Sequence, residues 1–466
     1  MQDIDDGALE RELAHGLTAV KPAGLPPQVI HKAKLAILDS FGVLAGAARS
    51  SALGEIIRAI GAWESDGCAT ILLEGRRVSP PSAAFANGTA AHALDFDDQH
   101  DPARIHTLCT VLPAALAAAE DQGGVSGMEL LCAVVTGAEL SARLGLCCPR
   151  SLEHGCHPTA ALGSIAAAAA TGKVWGLDES AMLAALSIAF VQMGGTPQSN
   201  ADGALTKRMG AGFAARNGVF AAHLARNGLS GPHRFLTGTA GLFKVHQRSD
   251  VRPEELRDWF SRWEVANLSL KPFPCCRASH AALQVALEWH SEGLRPAHVE
   301  AVSIGLGKVN HLMVGAPFSP EGKNPTVHGQ FNLAYGFLAA LSTGRIGLES
   351  FEASRVLATD RTTAGRIACH VDPAIDPDSV AGVNVTVRLR DGRTLHRSRT
   401  TVKGSPEEPM SEQETVAKFQ DCVRAGTGMP ADRFVDLVLS LEHVASVDQL
   451  TRAFPRATPN EEYRKP

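Results

Sequence analysis

Between His92 and His106 the chain sets four carboxylates and three imidazoles in one short stretch: His92-Ala-Leu-Asp95-Phe-Asp97-Asp98-Gln-His100-Asp101, then Arg104 and His106. Apolar, Ala-rich sequence flanks it, from Ala83 to Ala93 and from Val111 to Ala119. A core segment tolerates so many Asp only if they are paired or face a solvated cavity. The stretch therefore reads as a loop lining a site. Its residue types allow a divalent metal site, acid/base or substrate-binding chemistry, or a set of helix caps. Asp97-Asp98 beside His100 has ligand types for a metal. No H-E-x-x-H partner completes such a site, and no metal is expected.

Four further clusters carry reactive types. Gly155-Cys156-His157-Pro158 opens an Ala-rich segment, with Pro158 in its first turn. His157 then sits at the positive end of a helix, which suits a neutral imidazole or a bound anion. A satisfied structural histidine is the bland alternative. Thr206-Lys207-Arg208 precedes Gly210-Ala-Gly212. A lysine at a helix start opposes the dipole, which is reasonable where an anion binds. The Gly210-to-Ala215 run mimics a dinucleotide fingerprint, but no strand pattern precedes it, so the match is discounted. Lys271-Pro-Phe-Pro-Cys-Cys-Arg277 leads to His280. Those three charged groups either face a pocket at a domain junction or merely decorate a linker. Last, Tyr335 lies in an apolar helical segment, where a core aromatic is the plain reading.

The elements that must position these groups change in texture along the chain. Helical patterns run from residue 7 to about 265, with Ala-rich segments at 80–93, 110–121, 127–145, 158–171, 179–192 and 211–226. Their Ala and Leu all round predict buried, closely packed helices. After Lys271 the pattern becomes mixed. His298 to Leu306 and Gly382 to Leu389 alternate as strands, and Asp391-Gly392 supplies a hairpin turn into Thr394 to Val402. Helices are expected at 277–291 and 329–342, and again from about 411 to Phe454. The polar tail beyond Pro455 is expected to fray.

Length and composition agree with an ordinary globular chain: 466 residues, 45% hydrophobic, 20% charged, net charge −5. Without a basic stripe, no nucleic-acid partner is expected. The acidic start Met1-Gln-Asp-Ile-Asp-Asp is no signal peptide, and no 18-residue apolar run is apparent, so no membrane span is expected. The 10 Cys are scattered, two pairs being adjacent, and read as reduced thiols of a cytoplasmic protein.

Taken in order, these motifs resemble the MmgE/PrpD family, which includes 2-methylcitrate dehydratase, cis-aconitate decarboxylase and an iminodisuccinate epimerase. The resemblance runs from about residue 7 to 454. It rests on His92-Ala-Leu-Asp-Phe-Asp-Asp98, Gly155-Cys-His157-Pro158, Lys207, Lys271-Pro-Phe-Pro-Cys-Cys-Arg277 and Phe331-Asn-Leu-Ala-Tyr335. It implies a mainly α fold. A large helical domain is built from both chain ends, residues 1–268 and 406–466, and a smaller α+β lid is inserted at 269–405. It also implies a homodimer, no cofactor, and an active site at Asp95, His106, His157, Lys207, Lys271 and Tyr335. Two departures stand out. Gln99 replaces the Thr usual after Asp-Phe-Asp-Asp, and the loop to the second histidine is one residue longer and carries Arg104.

Residues and resemblance converge on a small polycarboxylate. Lys207 and Lys271 would hold carboxylates, with Gln99, Arg104, Arg208, Arg277 and His280 as further substrate contacts. A base, His157 or His106, removes the proton α to a carboxylate. Asp95 orients a partner, and Tyr335 or Lys271 is the opposing acid. The loop departures favour an iminodisuccinate-type epimerase first, then a dehydratase, then a decarboxylase. A catalytically silent scaffold is the reading from a different class.

Overall fold

A computed structural model describes residues 7–456 apart from Ser65, Gly203, 248–249 and 322–323. The first six residues and the polar tail, Tyr463 included, lie outside the described residues.

The Ala-rich segments are helices that pack on one another. Pro158–Val174 is buried from Pro158 to Gly172. Thr206–Arg226 lies against it and against Pro80–His92. Small side chains set how near these helices come. A Cβ at Gly212 would stand 2.2 Å from Thr89 Oγ1, and one at Gly218 2.4 Å from Ala167 Cβ. The glycines that mimic a dinucleotide fingerprint are thus packing glycines inside a helix. Leu108–Gln122 and Gly127–Cys147 complete the layer.

The two chain ends meet. Glu412–Gly426 packs along Pro27–Gly46. Lys418 reaches the buried Asp39 at 2.6 Å and donates to the Phe96 carbonyl at 2.7 Å. A C-terminal helix thereby props up the Asp/His loop. One hydrophobic cluster runs from Leu9 to Leu270 and resumes from Phe419 to Phe454. A second gathers Phe273 to Val402.

That second cluster belongs to a four-stranded sheet backed by helices. The strand order is Ile367–Val371, Val299–Leu306, Val383–Leu389, Thr394–Arg399. The first pair is parallel and the others antiparallel. Helices His280–Ser291 and Leu333–Thr343 pack together beside it. Ile367–Val371 is the strand the sequence pattern does not announce: Ile367 alone of its residues is fully buried.

The expectation of no long apolar run needs correction. Gly127–Cys147 is long and apolar enough to cross a membrane, but 94% of its apolar window is buried inside the protein. It also carries a buried ion pair, Arg143 to Glu139 at 2.7 Å. Arg143 donates as well to the carbonyls of Glu255, Arg257, Asp258 and Arg262, pinning that loop. Glu139 accepts from the Val265 amide.

Removing one member of a buried pair leaves an uncompensated charge, a loss of about 3–5 kcal/mol. Arg143→Met is therefore expected to lower the urea unfolding midpoint markedly. An unchanged midpoint would mean that the pair does not hold the 255–265 loop in place.

Candidate functional site

The Asp/His loop follows directly on the Pro80–His92 helix. Its Asp95 adopts φ +52°, a left-handed conformation that Asp tolerates better than most residues. Gln99–His100 then pairs antiparallel with Leu268–Ser269. This short pairing joins the loop to the linker and brings Lys271 to Asp95.

Each loop carboxylate has a separate task. Asp95 takes Lys207 at 2.6 Å and Lys271 at 3.4 Å, and its carbonyl accepts from Lys271 at 3.0 Å. Burial opposes its ionisation, but the two ammonium groups outweigh burial and hold it far below the usual carboxylate range. Burial likewise disfavours charge on Lys271, yet Asp95 and Asp97 keep it above its ordinary value. Asp97 faces two imidazoles, His92 Nδ1 at 2.8 Å and His106 Nδ1 at 3.2 Å, both on one oxygen. Asp98 caps the Leu108–Gln122 helix, accepting from the Thr107 amide, the Thr107 hydroxyl and the Leu108 amide. Burial and the neighbouring Asp97 charge push it upward. Asp101 accepts from Arg277, at 3.0 Å from Nη2, and from the Ser269 hydroxyl at 2.7 Å.

The tautomer of His106 follows from its partners. Nδ1 lies 2.7 Å from the Asp98 carbonyl, which can only accept. Nδ1 therefore carries a proton and leaves Nε2 free for acid/base work. His157 occupies the N-cap position of the Pro158–Val174 helix without a side-chain capping bond, and its amide donates to the Gly195 carbonyl. Burial, with Lys207, His92 and His106 nearby, holds it well below 6.5. Burial also lowers His92, to about 4.

A cavity of about 70 Å³ unites these groups. Asp95, Gln99, Arg104 and His106 line it from the loop, and His157 and Lys207 from the helices. The linker adds Lys271, Cys276 and Arg277, and the lid adds Asn310, Met313, Phe331 and Val380. Lys207 also stands 5.2 Å above the Phe331 ring. Beyond Arg104 and Val380, which border both spaces, lies a cleft of about 1030 Å³ between the two regions.

Three residues expected at the site lie elsewhere. Tyr335 points into the lid core, stacks on Phe318 and donates its hydroxyl to the Ser350 carbonyl. Burial raises it to about 12, which makes it a poor acid. Phe331, one turn earlier, faces the cavity instead. His280 packs on Phe273 and donates from Nε2 to the Cys275 carbonyl. Arg208 is directed to Ser50 and Gln330. Arg277 borders the cavity, but Asp101, His280 and the Lys403 carbonyl occupy its three nitrogens.

Some participants escaped the sequence reading. His92 was inside the quoted motif, but nothing marked it as the second partner of Asp97. Asn310 and Met313 carry no signal. Among the described residues, His92, Asp97 and His106 are the group whose ligand-type atoms come close enough to hold a cation, within 4.8 Å of one another. Their geometry is that of two N–H donors sharing a carboxylate, and a cation there would have to displace both protons. Asp98 is spent as a cap and His100 is turned to Glu264 at 3.0 Å, so the metal set considered around Asp97, Asp98 and His100 does not assemble.

Known proteins share this arrangement's sequence across nearly its whole length. Residues 11–254 match the MmgE/PrpD N-terminal domain and residues 273–443 the MmgE/PrpD C-terminal domain. The chain is 29% identical to the cis-aconitate decarboxylase-like protein oryM of Aspergillus oryzae, over 96% of this chain and 97% of that one. It is 26% identical to a cis-aconitate decarboxylase of Aspergillus terreus, over 94% of each. It is 28% identical to the Mus musculus cis-aconitate decarboxylase, over 94% of this chain and 91% of the other.

The histidines give a pH signature. Both His92 and His157 bind protons less readily folded than unfolded. Below about 6.5 the unfolded chain therefore takes up more protons, and stability present at neutral pH is lost as pH falls. Urea midpoints are expected to drop from pH 7 to pH 5, and His157→Gln to flatten that drop. A wild-type slope in the variant would refute the buried neutral imidazole.

Proposed function

The chain belongs to the MmgE/PrpD family, and from that membership and the chemistry of its cavity we propose that it decarboxylates a small tricarboxylate resembling cis-aconitate. The chain carries out catalysis of the MmgE/PrpD type on a polycarboxylate. The observation that carries the proposal is the meeting of Lys207 and Lys271 on Asp95 at a cavity that His106 and His157 also line. The names of the relatives favour decarboxylation over the epimerisation expected from Gln99 and Arg104.

In an allylic β,γ-unsaturated acid the bond from the CH₂ carbon to its carboxylate breaks and CO₂ leaves. The electron pair forms a new terminal double bond. The old double bond shifts its pair to the carbon α to a second carboxylate. That carbon then takes a proton, giving a methylene-substituted dicarboxylate. Negative charge grows on the second carboxylate during the step, and fixed cations stabilise it there. Lys207 and Lys271 hold this retained carboxylate. Two ammonium groups against the single Asp95 carboxylate leave one positive charge for it.

The departing carboxylate becomes neutral, so a cation on it would oppose the reaction. It belongs on the wall formed by neutral His157, Met313 and Phe331. The proton comes from Nε2 of protonated His106. Asp97 and the Asp98 carbonyl hold the Nδ1 proton in place before and after transfer.

Turnover of cis-aconitate in D₂O followed by NMR distinguishes the family's reactions. CO₂ and one solvent deuterium in a methylene product support decarboxylation, whereas addition of water across the double bond, or consumption of the acid without release of CO₂, would reject it. His106→Gln is expected to lower kcat about 10²–10⁴-fold. Lys271→Met is expected to lower it about 10²–10³-fold. A folded variant of either kind with wild-type kcat would remove that residue from the mechanism.

A further inference from the structure

Arg104 has a chemical capacity that no other guanidinium at the inner cavity retains. Its Nη2 donates to the Asp378 carbonyl at 2.8 Å and lies 3.8 Å from the Asp378 carboxylate. Its Nε and Nη1 make no hydrogen bond to any described residue. The other cavity guanidinium, Arg277, has a hydrogen bond at each of its three nitrogens and keeps one Nη2 N–H at most. An Arg fork grips a carboxylate with two parallel bonds at about 2.7–2.9 Å. The present 3.8 Å contact is far from that, and Asp378 is 61% exposed while Arg104 is 16% exposed. A carboxylate gripped by the whole fork would be the stronger partner.

Its location says what that partner is. Small-molecule pockets usually measure about 300–1,000 Å³. The inner cavity, at about 70 Å³, is too small for a six-carbon acid. The outer cleft, at about 1030 Å³, has room but lacks the lysine pair and His106. A substrate that reaches the lysines must therefore extend through the waist between the two spaces. Arg104 stands at that waist, on a turn closed by its amide to the Asp101 carbonyl, with φ +52°.

We propose that Arg104 is the specificity-determining residue of this site: it takes the carboxylate that is neither lost nor held by the lysine pair, and Asp378 of the lid occupies the guanidinium until that carboxylate displaces it. This rests on the tricarboxylate reading above and deepens it. On a cis-aconitate skeleton the group in question is the central carboxylate. Lys207 and Lys271 serve the terminal one that keeps the charge, and Arg104 counts the third.

The test compares cis-aconitate with glutaconate, the same skeleton without the central carboxylate, taken as substrate or as competitive inhibitor. Arg104→Lys keeps the charge but loses the fork. It is expected to lower kcat/KM for cis-aconitate about 10–100-fold, chiefly through KM, and to leave glutaconate within about threefold. Asp378→Asn removes the competing carboxylate charge while keeping the backbone carbonyl contact, and is expected to lower KM for cis-aconitate about two- to fivefold. Equal losses on both acids in Arg104→Lys, or no loss on either, would overturn the inference while leaving wild-type decarboxylation intact. An unchanged or raised KM in Asp378→Asn would overturn the displacement. If the wild type converts neither acid, the proposed function falls and this inference with it.

Discussion

Asp95 holds Lys207 from the helical region and Lys271 from the linker to the lid, and the pocket depends on that three-membered charge cluster. Burial alone would disfavour the charge on Lys271, and Asp95 with Asp97 holds it above its ordinary value instead. One carboxylate set between two ammonium groups does not cancel them. It also locks together two regions whose hydrophobic clusters are separate. The left-handed turn at Asp95 allows its side chain and its carbonyl to serve the same lysine.

The rest of the loop protects this arrangement by dividing labour. Asp97 orients His106 and shares an oxygen with His92. Asp98 fixes the start of the Leu108–Gln122 helix. Asp101 takes Arg277 and so removes a competing cation from the cavity. Lys418 supports the Phe96 carbonyl from the far end of the chain. Four acids in close sequence are tolerated because each is matched to a different donor set, even though the Asp97 charge still pushes Asp98 upward. The charge that remains at the cavity is therefore positive, close to an imidazole nitrogen with no internal partner. In the proposed reaction such a place would stabilise the carboxylate that gains charge while its neighbour departs.

Much of this was legible in the sequence. The Ala-rich helices, the mixed region after Lys271 and the return of helix near 411 followed from periodicity alone. So did the importance of the Asp/His loop, because so many ionisable groups between apolar helices require partners. Direction was not legible. Tyr335 and Phe331 lie four residues apart on adjoining turns, and nothing in their spacing says which one faces the cavity. Arg277 and Arg208 resemble free cations until their acceptors are seen across more than 100 residues of chain. Asn310, Met313 and Asp378 come from lid segments whose place is decided by sheet topology, including the parallel strand Ile367–Val371. That strand has too little burial to pattern.

The central claim is that the lysine pair gathered on Asp95 binds substrate carboxylate. Calorimetric binding of tricarballylate, a saturated tricarboxylate that has no double bond to shift, isolates this step from catalysis. Wild-type protein is expected to bind it, and Lys207→Met to bind about 10–100-fold more weakly, as loss of a buried charge partner requires. Equal affinity in wild type and a folded Lys207→Met would contradict the account.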